Sequence, residues 1–161
     1  MILVADSSAL IALASCDGLS LLDTLFATVI VPEAVYREAI VGDKPQARKL
    51  KDYLRDKIRK IDSVDSVLLD GFSDLGETEA MLLYRQYSAD KLLIDDKRGR
   101  RVAKINHIST IGSLGVLLAA KQVGVIDRIF PFVNKLLSSE LYLSADLIST
   151  VMDIAGEKWP R

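Results

Sequence analysis

The feature that most constrains this chain is an apolar run that ends on an acid. Met1-Ile-Leu-Val-Ala leads directly into Asp6, and Lys91-Leu-Leu-Ile94 leads into Asp95-Asp96. Unbroken apolar runs of this length predict strands buried on both faces, as in a parallel sheet, since a strand with one wet face would alternate. Helical sequence follows. Ser7 or Ser8 caps the apolar stretch from Ala9 to Ala14, and Thr28-Val-Ile-Val31 predicts another strand, with Pro32 suited to the first turn of a helix from Glu33 to Ile40. Further helices are predicted from Leu19 to Phe26, Gln46 to Lys57, Gly76 to Tyr84, Leu114 to Val123, Asp127 to Leu137 and Ser144 to Ala155. Short strands are predicted at Ile108 to Thr110 and, at the sheet edge, within Ile58 to Val64. The alternation predicts a three-layer α/β/α sandwich around a mostly parallel sheet. In such folds functional groups collect at the carboxyl ends of strands, where Asp6 and the Asp95-Asp96 pair stand.

With 161 residues, 50% of them hydrophobic, the chain can bury one substantial core and is too short for two ordinary domains. We expect one domain over residues 1–161, with a helical C-terminal extension from about residue 125. The longest apolar runs fall short of a membrane span and the N-terminus has no basic flank, so the expected location is cytoplasmic. The one cysteine, Cys16, excludes an internal disulfide and a multi-cysteine zinc site, and the one histidine, His107, excludes paired-histidine chemistry. Any chemistry must then run on carboxylates. The net charge of −1 gives no global sign of a nucleic-acid partner. Positive charge is concentrated in two runs, Arg48 to Lys60 and Lys97 to Lys104, and the second follows the aspartate pair directly.

Asp6, Glu38, Glu79 and Asp95-Asp96 all lie near apolar sequence. Converging acids without matching bases are costly to bury, which points to a hard divalent cation such as Mg²⁺ or Mn²⁺. Such an ion can activate water for attack on a phosphodiester and dispenses with a histidine base. Each acid also has a plainer reading. Asp6 or Asp96 can cap a helix, and Glu38 can be a solvated helix residue. Glu77 and Glu79 sit about 200° apart around a helix, so at most one faces a common site. Glu77, at the helix start, is read as compensating the helix dipole, leaving Glu79 for the site. Asp95 and Asp96 point in opposite directions if the chain is extended there, and either is a candidate ligand. Ser113 could offer its hydroxyl to a phosphate or simply cap the helix that follows Gly112, while Arg98, Arg100 and Arg101 could hold substrate phosphates.

Five ordered blocks carry a family resemblance: Asp6-Ser-Ser-Ala-Leu-Ile, Val31-Pro-Glu-Ala-Val-Tyr-Arg-Glu38, Gly76-Glu-Thr-Glu79-Ala, Leu93-Ile-Asp-Asp96 and Gly112-Ser-Leu-Gly115-Val-Leu. Together they resemble a PIN domain of the VapC-like branch of prokaryotic PIN nucleases. The resemblance implies an Mg²⁺- or Mn²⁺-dependent endoribonuclease acting on RNA, frequent homodimers and, in toxin members, a small antitoxin partner. It assigns Asp6, Glu38, Glu79 and Asp96 as the catalytic acids, with Asp6, Glu79 and Asp96 or Asp95 as metal ligands, while Ser113, Arg98 and Arg101 are candidates for the substrate phosphate by their own chemistry. Typical members have Thr-x-Asp where this chain has Ile94-Asp95-Asp96. Two other readings remain: a PIN-like partner-binding module with little or no turnover, and a phosphorylation-receiver domain. The latter lacks the expected second acid after the first strand.

Overall fold

β1 (Ile2–Ala5) occupies the middle of a five-stranded sheet, and every other element is placed around it. The computed structural model describes residues 1–62, 66–67, 71, 74–141 and 143–159. After β1 come α1 (Ser7–Ser15), α2 (Leu19–Leu25), β2 (Thr28–Pro32), α3 (Glu33–Ala39), α4 (Pro45–Leu54) and β3 (Ile58–Arg59). The second half contains α5 (Leu75–Gln86), β4 (Lys91–Leu93), α6 (Lys97–Ile105), β5 (Thr110–Ile111), α7 (Ser113–Gln122), α8 (Phe130–Leu137) and α9 (Ala145–Ala155). The sheet order is β3-β2-β1-β4-β5 and all pairings are parallel, with helices flanking the sheet in an α/β/α arrangement. Leu3, Val4, Ala5, Leu92 and Leu93 are fully buried, which is why both strands read as continuous apolar runs.

The strand order reverses beside β1: the chain builds outward through β2 and β3, then returns to pair β4 on the other edge of β1. Ala5 lies opposite Leu93, and the Asp6 amide donates to the Leu93 carbonyl at 2.8 Å. This register sets the acid that follows β1 next to the pair that follows β4. A crevice at such a reversal is the usual ligand position in a parallel sheet.

Several boundaries differ from expectation for local reasons. The helix expected from Asp127 begins at Phe130, because Pro131 lacks an amide hydrogen and belongs in a first turn. α4 stops at Leu54 rather than Lys57, because the Lys57 carbonyl accepts the Val31 amide and starts the edge pairing. That edge strand covers only Ile58 and Arg59, and Val64 lies outside the described residues. The last strand is shifted to Thr110–Ile111, with Ser109 accepting from Leu92.

The helices after Gly124 share the main core. Ile129, Val133, Leu136, Ile148, Val151 and Met152 are buried with the sheet residues, and α9 packs on α7. Glu157 fastens this region, accepting the Ile129 amide at 2.8 Å, the Phe130 amide at 3.1 Å and the Lys121 ammonium at 2.9 Å. The first two bonds satisfy amides at the start of α8 that have no partner within the helix. Among the described residues, no single helix is long and apolar enough to cross a membrane.

Candidate active site

Asp6 ends β1 and precedes α1, yet its side chain caps nothing in that helix. It is 1% exposed, and Oδ2 accepts from the Ser8 hydroxyl at 3.1 Å. Oδ1 is buried with no hydrogen-bond partner. Burial raises the carboxyl from its ordinary 3.8 to about 6, against the Ser7 amide and Ser8 hydroxyl and with help from the charges of Asp74 and Glu38. An orphaned carboxylate oxygen at the carboxyl end of a central strand is an expensive feature in a protein interior, and it identifies where a cation would be stabilising.

Around Asp6 the fold gathers more acids. Glu38, near the end of α3, accepts the Ser7 hydroxyl at 2.8 Å, so the two serines after Asp6 hold two different carboxylates. Asp74 caps α5, accepting the Glu77 amide at 2.8 Å. Glu77, in the first turn of α5, is 6% exposed, and its Oε2 is likewise buried with no partner among the described residues. Burial pushes Glu77 from its ordinary 4.5 to about 8, reinforced by the charges of Asp6, Asp96, Asp74 and Glu38. Asp96 caps α6 through Oδ2, which accepts the Gly99 amide at 2.7 Å.

Two glycines make this crowding possible. A Cβ at Gly76 would stand 2.5 Å from Glu38 Oε1, and a Cβ at Gly99 would overlap Glu77 Oε2 and come within 2.6 Å of Ile94 Cδ1. Each glycine opens a helix against a carboxylate from another element, a close approach that no other residue permits.

The charges of Asp6, Asp96 and Glu38 all act on Glu77, whereas Glu79 turns toward α3. Its Oε2 accepts the Ala34 amide at 3.2 Å, at the start of α3. The helical offset sends the two glutamates of α5 to different neighbours, and Glu77 is the one on which the charges of Asp6, Asp96, Asp74 and Glu38 act. Asp95 is engaged by the start of α7. Its two oxygens accept the Ser113 amide and the Ser113 hydroxyl, each at 2.7 Å, so Asp95 is a clip between β4 and α7. Ser113 is buried with both donors committed to Asp95, which leaves it none for a phosphate. Arg98 donates to the Gly71 carbonyl at 3.2 Å, and Arg98 and Arg101 both have further partners, so neither stands free for a substrate. Sequence reasoning missed Asp74 and Glu77. The signal was present in Asp74-Leu-Gly-Glu77, an acidic cap with a glutamate three residues on and a glycine directly before it.

The chain's donors are hard oxygens, two of them buried and unpartnered, and that chemistry suits a divalent cation such as Mg²⁺ or Mn²⁺. Among the described residues no group of three or more acids is gathered closely enough to hold a metal ion. None of the curated proteins compared with this chain matches it. A family model described as a PIN domain matches residues 2–157, nearly the whole chain. PIN domains are usually nucleases and generally use divalent metal ions. With this match and a parallel sheet carrying acids at its switch point, the chain belongs to the PIN-domain family.

Proposed function

We propose that the protein is an Mg²⁺- or Mn²⁺-dependent endoribonuclease whose catalytic acids are Asp6, Glu38, Glu77 and Asp96. The observation that carries this reading is the pair of buried oxygens with no partner among the described residues, Asp6 Oδ1 and Glu77 Oε2, with only acids among the charges acting on Glu77. A divalent ion bound there would neutralise the cluster and stabilise charge developing on the phosphodiester during attack by water. Asp6 and Glu77 are the residues to hold it, with Asp96 contributing the oxygen that does not cap α6. Ser7 and Ser8 orient Glu38 and Asp6 through their hydroxyls, and Glu38 faces the incoming water from the exposed side of the cluster. RNA as substrate, the VapC-like branch, a homodimer and a small antitoxin partner rest on the order of the five motif blocks.

The test is cleavage of labelled RNA and DNA by purified protein with Mn²⁺, with Mg²⁺ and with EDTA, beside an Asp6→Asn variant prepared identically. Metal-dependent RNA cleavage lost in the variant supports the reading, and equal cleavage by both proteins overturns it. The absence of a ready three-acid group favours one rival, a partner-binding module without turnover. Calorimetry separates them, since that rival requires no Mn²⁺ affinity in a folded protein.

A further inference from the structure

Beside the acid cluster lies a half-enclosed pocket of about 390 Å³ that no proposed catalytic group uses. Its walls are apolar, formed mainly by Leu136, Leu141, Leu143, Leu147 and Val151 from the C-terminal region. Its polar end consists of Ser8, Asp95, Arg100 and Ser113. Ser8 is the residue that donates to Asp6, so the pocket starts at the edge of the cluster. Asp95 and Ser113 satisfy each other, whereas the Arg100 guanidinium makes no hydrogen bond or ion pair among the described residues. Its Nη1 reaches to 3.9 Å from the point where Gly112 would carry a Cβ, over the same spot that Asp95 Oδ1 approaches. On the far side of Leu141 a wider groove of about 740 Å³ presents Lys44, Lys49 and Lys135. These lysines pair only with exposed Asp17 and Glu140, contacts weak enough to exchange for phosphates.

We propose that this pocket receives one unstacked nucleobase of a single-stranded RNA, with Arg100 on the phosphate beside it and the three lysines along the continuing backbone. The proposal rests on the nuclease reading and specifies its substrate class. A base has flat apolar faces and a polar edge, which matches leucine walls closed by one polar end. The volume is at the small end for ligand pockets and suits a single base, and bases within a duplex are not available to enter it. Positive charge at both the mouth and the exit favours a polyanion over an apolar peptide.

The experiment measures binding by fluorescence anisotropy in EDTA at low salt, so its outcome does not depend on turnover. The probes are a short single-stranded RNA, the same RNA in a duplex, and the same strand lacking its bases. Wild type should bind the single strand about tenfold more tightly than either of the other probes. Arg100→Ala should weaken binding about fivefold to tenfold and lower the salt dependence by about one charge. Leu147→Asp, at a rim residue that is 45% exposed, should remove the preference for bases while leaving the fold intact by circular dichroism. Equal affinity for all three probes, unchanged selectivity in both variants, or binding of no RNA at all would overturn the proposal. Selective binding without any metal-dependent cleavage would instead overturn the nuclease reading and leave the pocket assignment standing.

Discussion

Glu77→Gln should make the metal-free protein more stable, by an amount that grows with pH. In the folded protein the Glu77 carboxyl titrates at about 8, against 4.5 as its ordinary value. Between those values the folded state keeps a proton that the unfolded state has released, so raising the pH favours unfolding. Worked through the linkage relation, this disfavours the fold by about 1 kcal/mol at about pH 5 and about 4 kcal/mol at about pH 7.5. Asp6, raised from 3.8 to about 6, contributes a further fall of the same sign, most of it complete by about pH 6. Wild type in EDTA should therefore lose about 4 kcal/mol over that interval, and the glutamine variant only the Asp6 share of about 1–1.5 kcal/mol. Urea unfolding at the two pH values, followed by circular dichroism, measures both slopes. Parallel losses in the two proteins would refute the argument that Glu77 is a buried, charge-frustrated group.

Other consequences are open to measurement. Asp6→Asn should abolish Mn²⁺-dependent RNA cleavage by about a hundredfold or more and stabilise the apo fold, whereas Glu79→Gln should cleave normally, because its carboxylate only meets the Ala34 amide. Gly99→Ala should destabilise by about 1–3 kcal/mol in thermal or urea unfolding, since the added methyl overlaps the Glu77 carboxylate and crowds Ile94. Glu157→Gln should cost about 2–3 kcal/mol by loosening α8 and α9 from Lys121. In wild type, desolvation pushes Glu157 up, but the Ile129 and Phe130 amides and Lys121 outweigh it and hold the carboxyl below its ordinary 4.5. That stabilisation is therefore present at neutral pH and lost as the solution is acidified through the lowered value, which acid titration of the two proteins should show.

The sheet was readable because burial on both faces leaves an unmistakable apolar run, and the ends of those runs placed Asp6 and the Asp95-Asp96 pair at the carboxyl ends of β1 and β4. The choice between neighbouring acids was not readable. Glu77 and Glu79 differ by two positions on one helix, and the turn that faces the cluster depends on how α5 lies across β1, β2 and β4. Asp95 and Asp96 looked interchangeable until the clip to Ser113 separated their tasks, a contact between residues 18 positions apart. Arg100 differed from Arg98 and Arg101 only through what those two touch, which periodicity does not encode.

The central position of β1 also governs how the molecule assembles. The strand is first in the chain, and the Ile2 amide meets the Asp90 carboxylate across a separation of 88 residues. During synthesis one edge of β1 stays open until β4 emerges, and long-range parallel pairing of this kind is slow to form. Asp6 acquires the Leu93 carbonyl, and Asp96 its helix, only at that stage. A ribosome-bound fragment ending before β4 would thus carry Asp6, Glu38 and Glu77 without the strand that pairs with β1. The acids at the carboxyl ends of β1 and β4 become neighbours only once β4 has paired with β1.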